Sequence, residues 1–322
     1  MPSRRQILAA AAMLAASPAA AQERYPARPI RMMIPVGVGG VTDIVGRILG
    51  DGMSAILGKP VVAENLPGAG STVGATAFQR TPADGYAMLI VTNNHPVMRA
   101  VYPNFPYDPV ADFLPLALVA RQPFVLAVHP GVPARDVAGL LAWLRQRGEA
   151  ANYGATNPGA TNHLAGELFK QITHTDFTIV PYRTAANAVQ DLVAGRMSFT
   201  IDSPTMLQPL MRDGLVRGLA VSSPDPSALV PGLPSLAQSG VADYDLTAWQ
   251  ALYARPGTPP EIVALLSDTA RRVLADPVVQ RRLAGAGVEV WPDSAPAAAT
   301  AHMRAEMARW SPIVSRMNLG GN

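Results

Sequence analysis

The 322-residue chain contains no cysteine, and only two of its 26 basic residues are lysines. Without cysteine it can form no disulfide, no thiolate nucleophile and no lipid-modified N-terminal anchor. The basic residues are scattered along the sequence, whereas nucleic-acid-binding proteins usually cluster them on one face, so we predict no nucleic-acid partner. Beyond the N-terminus there is no run of about 18 apolar residues, which predicts no transmembrane helix.

The N-terminus has the features of an export signal. Arg4 and Arg5 precede an apolar stretch at residues 7–16 and a small-residue run that ends at Ala21. This pattern predicts a signal peptide over residues 1–21 and a periplasmic mature protein. The paired arginines also fit a twin-arginine signal, so Sec and twin-arginine export both stay open. Cleavage removes both arginines and lowers the formal net charge from +3 to 3 − 2 = +1.

Strand-like and helix-like apolar patterns alternate along the mature chain. The first block predicts a parallel βαβαβ unit, with strands at 30–34, 61–63 and 86–91 and helices at 41–56 and 71–80. The second block predicts strands at 124–128, 152–155, 177–180, 197–201 and 216–221, with helices at 137–144, 164–172, 185–193 and 206–211. A strand at 249–254 then precedes helices at 262–274, 278–283 and 297–317.

The two α/β units indicate two lobes hinged across a cleft. Without the signal the chain has 322 − 21 = 301 residues, a length that suits two domains. We expect residues 22–123 plus 248–322 to form lobe 1 and residues 124–247 to form lobe 2. Open parallel sheets bind ligands beyond the carboxyl ends of their strands, so the loops after the strands hold the candidate site. These loops are rich in Gly, Thr, Ser and Asn, at 35–42, 64–70, 92–96, 156–162, 182–184 and 202–204.

The loop PVGVGGVTD, which follows the first strand, fits more than one kind of anion site. Gly37-x-Gly39-x-x-Thr42 is one residue from the G-x-G-x-x-G dinucleotide fingerprint, and Glu64 ends the next strand where a ribose-binding acid would stand. Thr42, however, places a branched side chain where the third glycine allows close helix packing. A carboxylate site needs only that Gly39 and Gly40 turn the backbone and direct N–H groups at a helix start toward the anion.

Polar residues mark two helix starts in a similar way. Thr42 is a candidate cap or hydroxyl donor, and Asp43 either stabilises the first helical turn or orders the loop. In the second lobe, YGATNPGATNHLAGELF contains a Pro-Gly turn, with Thr161 or Asn162 placed to cap the next helix. If the two loops face each other, they can clamp the two ends of a dicarboxylate.

Signatures of catalysis and metal binding are missing from the sequence. The five histidines show no H-E-x-x-H spacing, and there is no G-x-S-x-G nucleophile elbow. We therefore predict no catalytic residue, no metal site, no cofactor and no enzymatic activity. His163 fits a packing or hydrogen-bonding role at a helix start better than a ligand contact.

Nine segments spread over nearly the whole mature chain form a family pattern. They are YPARPIRMMIPVGVGGVTD, VVAENLPGAGSTVGA, TPADGYAML, YDPVADFLPLALVA, NYGATNPGATNHLAGELFK, VPYRTAANAVQDLVAGRMSF, VRGLAVSS, LPSLAQSG and ARPGTP. In content and order they resemble the tripartite tricarboxylate transporter substrate-binding proteins, also called Bug or TctC-like receptors. The resemblance implies a two-lobed periplasmic-binding-protein (Venus flytrap) fold, each lobe a mostly parallel, doubly wound sheet flanked by helices. It also implies a monomer that captures a small carboxylate and delivers it to a membrane permease.

The resemblance further implies which residues hold the ligand. In the family, the loops after the first strand and after the strand at 152–155 hold a carboxylate, largely through backbone amides and ordered water. Carried over to this chain, that gives one loop with Val38, Gly39, Gly40, Thr42 and Asp43, a second loop with Thr156, Asn157, Gly159, Ala160 and Thr161, and cleft-lining Thr92, Asn93 and Asp202.

The chain departs from the family pattern at two places. Val38 stands where proline commonly precedes the paired glycines, and Arg183-Thr184 replaces the usual Lys-Gly. Arg183 can make a bidentate carboxylate contact that lysine cannot, although an arginine in this position can equally face solvent. Two other functions stay open at this point: an exported nucleotide-dependent oxidoreductase that uses residues 37–42, and an accessory protein that presents a ligand to a sensor kinase.

Overall fold

The computed structural model describes residues 25–102, 104–156 and 159–316. The signal peptide predicted at residues 1–21 and the predicted ligand residue Asn157 lie outside these ranges. Within them, the structure contains no helix with the length and apolar character needed to cross a membrane.

Strands and helices alternate through most of the chain, as the apolar patterns predict. The first part contains β1 (Ile30–Ile34), α1 (Val41–Leu57), β2 (Val61–Asn65), α2 (Thr72–Gln79), β3 (Ala87–Thr92), α3 (Met98–Val101) and β4 (Leu114–Pro123). The second contains β5 (Val125–Val128), α4 (Val137–Arg147), β6 (Asn152–Ala155), α5 (Thr161–Thr173), β7 (Thr178–Pro181), α6 (Ala185–Val193), β8 (Phe199–Asp202), α7 (Pro204–Arg212) and β9 (Arg217–Val221). The last contains β10 (Thr247–Ala254), α8 (Pro260–Ala275), α9 (Pro277–Gly285), β11 (Glu289–Val290) and α10 (Pro296–Arg316).

The strands form two separate mixed sheets. The first has the order β11-β4-β10-β3-β1-β2, and the second has the order β7-β6-β8-β5-β9. Strand β1 pairs in parallel with β2 and β3, which confirms the predicted βαβαβ unit. Strand β10 runs antiparallel to β3 and β4, and β5 runs antiparallel to β8 and β9. Three of the five strand pairings in the first sheet and two of the four in the second are antiparallel, so both sheets are mixed rather than mostly parallel.

The sequence pattern does not predict strands β4 and β11. The apolar run of β4 contains Pro115 and ends at Pro123, and proline normally argues against a strand in the interior of a sheet. In the fold, β4 lies between β10 and β11, and most of its residues are buried. Strand β11 has only two residues, too few to show any periodicity.

Helix α1 packs closely against the first sheet because its apolar stripe includes a glycine. Val45, Ile48 and Leu49 are buried on this stripe, and Gly46 faces Ile34 of β1. A Cβ atom at Gly46 would lie 2.9 Å from Ile34 Cδ1, so a larger residue here would require the end of the Ile34 side chain to shift. This packing holds the first turn of α1 just beyond the carboxyl end of β1.

Two chain crossings connect the sheets, and hydrogen bonds join the crossings to each other. Only Phe124 separates β4 in the first sheet from β5 in the second. Its N–H donates to Ser222 Oγ at 2.7 Å, and Leu246 N–H donates to Ser222 O at 2.9 Å just before β10 begins. Asn93 Nδ2 donates to Thr247 O at 3.0 Å, while its Oδ1 accepts from Trp249 N–H at 2.9 Å. The crossing segments therefore form one connected region.

Candidate functional site

A cavity of about 530 Å³ opens at the carboxyl ends of strands from both sheets. Eight residues predicted to bind ligand line it: Gly39, Gly40, Thr42 and Thr92 from the first sheet and its loops, and Thr156, Ala160, Thr161 and Asp202 from the second. The two donor-rich loops thus face a common crevice. Of the other predicted residues, Val38, Asp43, Asn93, Gly159 and Arg183 do not contribute to the lining described by the structure.

The first loop turns at Gly39, which has a φ of +85° that favours glycine. Gly40 occupies the N-cap position of α1 and no side chain caps this helix, so the expectation that Thr42 acts as the cap is wrong. Because no side chain takes these donors, the described residues provide no hydrogen-bond acceptor for the N–H groups of Gly40, Val41 and Thr42. These donors lie at the positive end of the α1 dipole.

Asp43 orders this loop from inside the protein. It is 2% exposed; its Oδ2 accepts from Gly39 N–H at 2.9 Å, and its Oδ1 accepts from Arg47 Nε at 3.0 Å and Asn65 Nδ2 at 2.8 Å. Burial by itself would raise the pKa of Asp43, but the hydrogen bonds from Arg47, Gly39 and Asn65 outweigh it and lower the pKa. The Gly39 amide is therefore already used by Asp43, whose contacts fit the loop-ordering role.

The second loop is held by a matching arrangement. Asn162 Oδ1 accepts from Thr156 N–H at 3.2 Å and from Thr156 Oγ1 at 2.6 Å, while Asn162 Nδ2 donates to Asp202 Oδ2 at 2.9 Å. Ala160 is the N-cap residue of α5 and no side chain caps the helix, so the capping predicted for Thr161 or Asn162 is wrong. Asn162 instead joins the loop to the end of β8.

Each loop is thus held by one Asn–Asp pair, and the helix supplies the Asp in the first pair and the Asn in the second. Asp43 lies on α1 and bonds to Asn65 at the end of β2, whereas Asn162 lies on α5 and bonds to Asp202 at the end of β8. Sequence reasoning missed the positioning roles of Asn65 and Asn162. The available signal was their place in the predicted strand-end loops.

Asp202 is the sole ionisable residue among the described residues that line the cavity. Its Oδ1 accepts from Ser203 N–H at 2.7 Å, and its Oδ2 accepts from Asn162. Burial raises the pKa of Asp202 even though these hydrogen bonds act to lower it. An anion in the cavity must therefore be held by neutral donors, because the described residues of the lining include no cationic side chain.

The remaining predicted residues do not line the cavity. Val38 is 75% exposed at the tip of the first loop. Gly159 turns the second loop with a φ of +79°. Arg183 is exposed, and the described residues offer it no hydrogen bond or ion pair. His163 is buried, which lowers its pKa to about 4. In the described ranges, no group of three or more His, Cys, Asp or Glu residues could hold a metal ion.

Residues 45–319 match the sequence model of the tripartite tricarboxylate transporter family receptors (TctC). This match spans most of the chain and includes elements of both sheets. The chain belongs to the TctC family. A relative from Agrobacterium vitis, the UPF0065 protein in the TAR-I ttuE-ttuC' intergenic region, is 32% identical over 299 residues, which cover 92% of this chain and 86% of the relative.

Solved structures of TctC-like receptors have the same fold. R. palustris Rpa4515 with adipate is 34% identical, with a TM-score of 0.81 over 90% of this chain and 97% of that chain. MatC (Rpa3494) from Rhodopseudomonas palustris with bound malate is 28% identical, with a TM-score of 0.80 over 90% of this chain and 100% of that chain. The family assignment and these neighbours confirm the two-lobed α/β fold. They also identify the chain as a member of a periplasmic solute-binding receptor family.

Proposed function

We propose that this TctC-family receptor captures a small di- or tricarboxylate in the cavity between its two lobes and delivers it to a tripartite tricarboxylate-type permease. The observation that carries the proposal is the convergence of two helix starts, α1 and α5, on one cavity. The described residues that line this cavity include neutral hydrogen-bond donors and no cation. The adipate and malate held by the neighbouring receptors support a carboxylate as the ligand.

The physical demand on such a site is the replacement of water around a carboxylate. A buried charge without hydrogen bonds costs several kcal/mol, so the protein must supply about as many donors as it displaces. In lobe 1 the unpaired N–H groups of Gly40, Val41 and Thr42 meet this demand at the positive end of a helix. In lobe 2 we assign the same role to the first turn of α5 at Thr161, with the hydroxyl of Thr156 beside it.

Capture in this proposal requires the lobes to close on the ligand. We assign residues 22–123 plus 248–322 to lobe 1 and residues 124–247 to lobe 2, with the hinge at the two crossings near Phe124 and Thr247. A ligand that contacts both loops binds the closed form more tightly than the open form and shifts the population toward it. The permease then distinguishes the closed, loaded receptor from the open one by its surface.

A thermal-shift screen of the mature protein, residues 22–322, tests the proposal. Candidate ligands are dicarboxylates, tricarboxylates, amino acids, aromatic acids and nucleotides, and each positive result is checked by titration calorimetry. We expect at least one carboxylate to raise the melting temperature, because a ligand that binds only the folded state stabilises it. Stabilisation by a nucleotide with no response to any carboxylate would instead favour the oxidoreductase alternative.

Permease delivery needs a separate test in cells. Deletion of the receptor gene should abolish uptake of the radiolabelled ligand found in the screen, and plasmid-borne wild-type receptor should restore it. Normal uptake in the deletion strain would contradict the transport role while leaving carboxylate binding intact.

A further inference from the structure

Two glutamines at the floor of the cavity belong to strands and not to the strand-end loops. Gln250 of β10 lies directly opposite Thr92 of β3, and Ala248 of β10 lies directly opposite Gln122 of β4. Residues directly opposite each other, and residues two apart on one strand, share a face of the sheet. All four therefore lie on one face, and all four line the cavity.

The side-chain oxygen of each glutamine has no hydrogen-bond partner in the described part of the protein. Gln122 is 3% exposed and Gln250 is 2% exposed, and the Oε1 atom of each is buried without a donor. Two further cavity-lining residues, Asn94 and Thr205, also carry a buried oxygen atom without a partner. Buried polar atoms are normally hydrogen-bonded, so four unpartnered oxygen atoms around one cavity indicate that a ligand in the cavity supplies their donors.

Stability alone does not explain a glutamine at these positions. In β10, Ala248, Trp249 and the four residues from Ala251 to Ala254 are buried and contribute to the apolar core. An apolar side chain at Gln250 would continue that pattern without leaving an amide unpaired. The amide therefore fits a binding role at the point where the strand passes beneath the cavity.

The two amides select a particular chemistry. A carboxylate only accepts hydrogen bonds, so it can satisfy an amide N–H but not an amide oxygen. A hydroxyl group both donates and accepts, and a glutamine amide can turn over to present either end. One hydroxyl between Gln122 and Gln250 can accept from the nitrogen of one and donate to the oxygen of the other.

We infer that the ligand is a hydroxycarboxylate whose hydroxyl group is bound by Gln122 and Gln250 while the loops hold its carboxylates. The inference rests on the proposed function and narrows its substrate class. Carboxylate recognition belongs to the two helix starts, and selection among carboxylates belongs to the sheet floor.

Calorimetry with ligand pairs that differ by one hydroxyl tests the inference. Suitable pairs are succinate and malate, glutarate and 2-hydroxyglutarate, and adipate and 3-hydroxyadipate. We expect the hydroxylated member of the best-fitting pair to bind at least about tenfold more tightly, a ratio typical of one buried hydrogen bond made or lost. Gln122→Leu and Gln250→Leu should each bring this ratio toward one.

Gln79→Leu provides a matched control. Gln79 is also a largely buried glutamine in lobe 1, but its Nε2 donates to Asp112 O and it does not line the cavity. This variant should keep the preference for the hydroxylated ligand even if it unfolds more easily.

The possible results distinguish failure of the hydroxyl-binding inference from failure of the proposed carboxylate-binding function. Equal or tighter binding of the unsubstituted diacids by the wild-type protein would overturn the inference and leave carboxylate capture standing. Tighter binding of the amino analogues aspartate or glutamate than of malate or 2-hydroxyglutarate would also overturn it, in favour of an ammonium group paired with Asp202. Failure of every carboxylate to bind would remove the proposed function as well. If a leucine variant does not fold, the affinity ratios of the wild-type protein for each ligand pair still test whether a hydroxyl group is preferred.

Discussion

Replacing Asn162 by alanine removes the side chain that holds the second cavity loop. The asparagine is 5% exposed, and its side chain takes part in three hydrogen bonds, two from Thr156 and one to Asp202. At about 1 kcal/mol for each lost hydrogen bond, and with about 0.5 kcal/mol regained from the better helix propensity of alanine, unfolding should become easier by about 2–3 kcal/mol. The free energy of unfolding is measured by urea denaturation followed by circular dichroism.

The cost of Asn162→Ala should depend on pH through Asp202. Burial raises the pKa of Asp202 in the folded protein, so ionisation at neutral pH opposes folding and protonation at lower pH relieves that opposition. Asn162 donates to the ionised carboxylate and reduces its cost. The destabilisation should therefore be largest near neutrality and should shrink as the pH falls through the pKa of Asp202.

Asn187→Ala is the matched control for this experiment. Asn187 lies on helix α6, is exposed, and its side chain forms no hydrogen bond with the described residues. An exposed substitution of this kind should change the free energy of unfolding by no more than about 0.5 kcal/mol. The affinity for the carboxylate found in the screen should fall at least about tenfold in Asn162→Ala and stay constant in the control. A stability loss below about 1 kcal/mol, or an unchanged affinity, would refute the positioning role of Asn162.

Three further substitutions test the remaining features of the site and its support. The pKa of Asp43 is lowered in the folded protein, so its ionised carboxylate stabilises the fold fully at a pH above the pKa of the unfolded chain, about 3.9. This stabilisation is lost as the pH falls through the pKa of the folded protein. Asp43→Asn should therefore lower the free energy of unfolding by about 1–3 kcal/mol at pH 7 and by much less near pH 2. Asp51→Asn is the control, because Asp51 forms an exposed ion pair on the same helix; it should lower the free energy of unfolding by under about 0.5 kcal/mol at either pH. Gly39→Ala should lower the free energy of unfolding by about 1–2 kcal/mol and weaken carboxylate binding, because Gly39 has a positive φ. Gly37→Ala is the control and should change neither quantity. Equal effects of the two substitutions in urea denaturation and calorimetry would contradict the turn argument. Glu306 accepts hydrogen bonds from the buried indole N–H groups of Trp249 and Trp310. Glu306→Leu removes this acceptor and should therefore lower the free energy of unfolding by about 2–4 kcal/mol and alter the near-ultraviolet circular dichroism. An unchanged spectrum and an unchanged stability would count against these two hydrogen bonds.

Local patterns predicted much of the fold because they are written in adjacent residues. The alternation of short apolar runs and helical stripes located β1, α1, β2 and β3, and the polar residues after strands pointed to both cavity loops. The caps were mispredicted because Thr42, Thr161 and Asn162 are common capping residues, whereas in the fold Gly40 and Ala160 occupy the N-cap positions. The hydrogen bond from Asn162 to Asp202 joins residues 40 positions apart, so no local pattern reveals it.

The floor of the cavity was not predicted at all. Gln122 lies in a strand with proline inside and at its end, and Gln250 is a single polar residue in an apolar strand. They become neighbours because β10 returns after an excursion of more than 120 residues and pairs antiparallel with β4. That pairing depends on burial of both faces of the two strands, a property of the assembled sheets.

The sequence by itself determined the family, the alternation of strands and helices, and the two loops at which helices begin, because each is encoded by residue types at short spacing. The tertiary structure decided which of those polar groups meet. It assigned Asp43 and Asn162 to the support of the loops and placed Gln122 and Gln250 on one face of the sheet. It also left the Gly40, Val41 and Thr42 amides without an acceptor among the described residues. The physical reason is that a hydrogen bond needs its two atoms within about 3 Å of each other, and between distant parts of a chain only the packing of sheets and helices brings atoms that close.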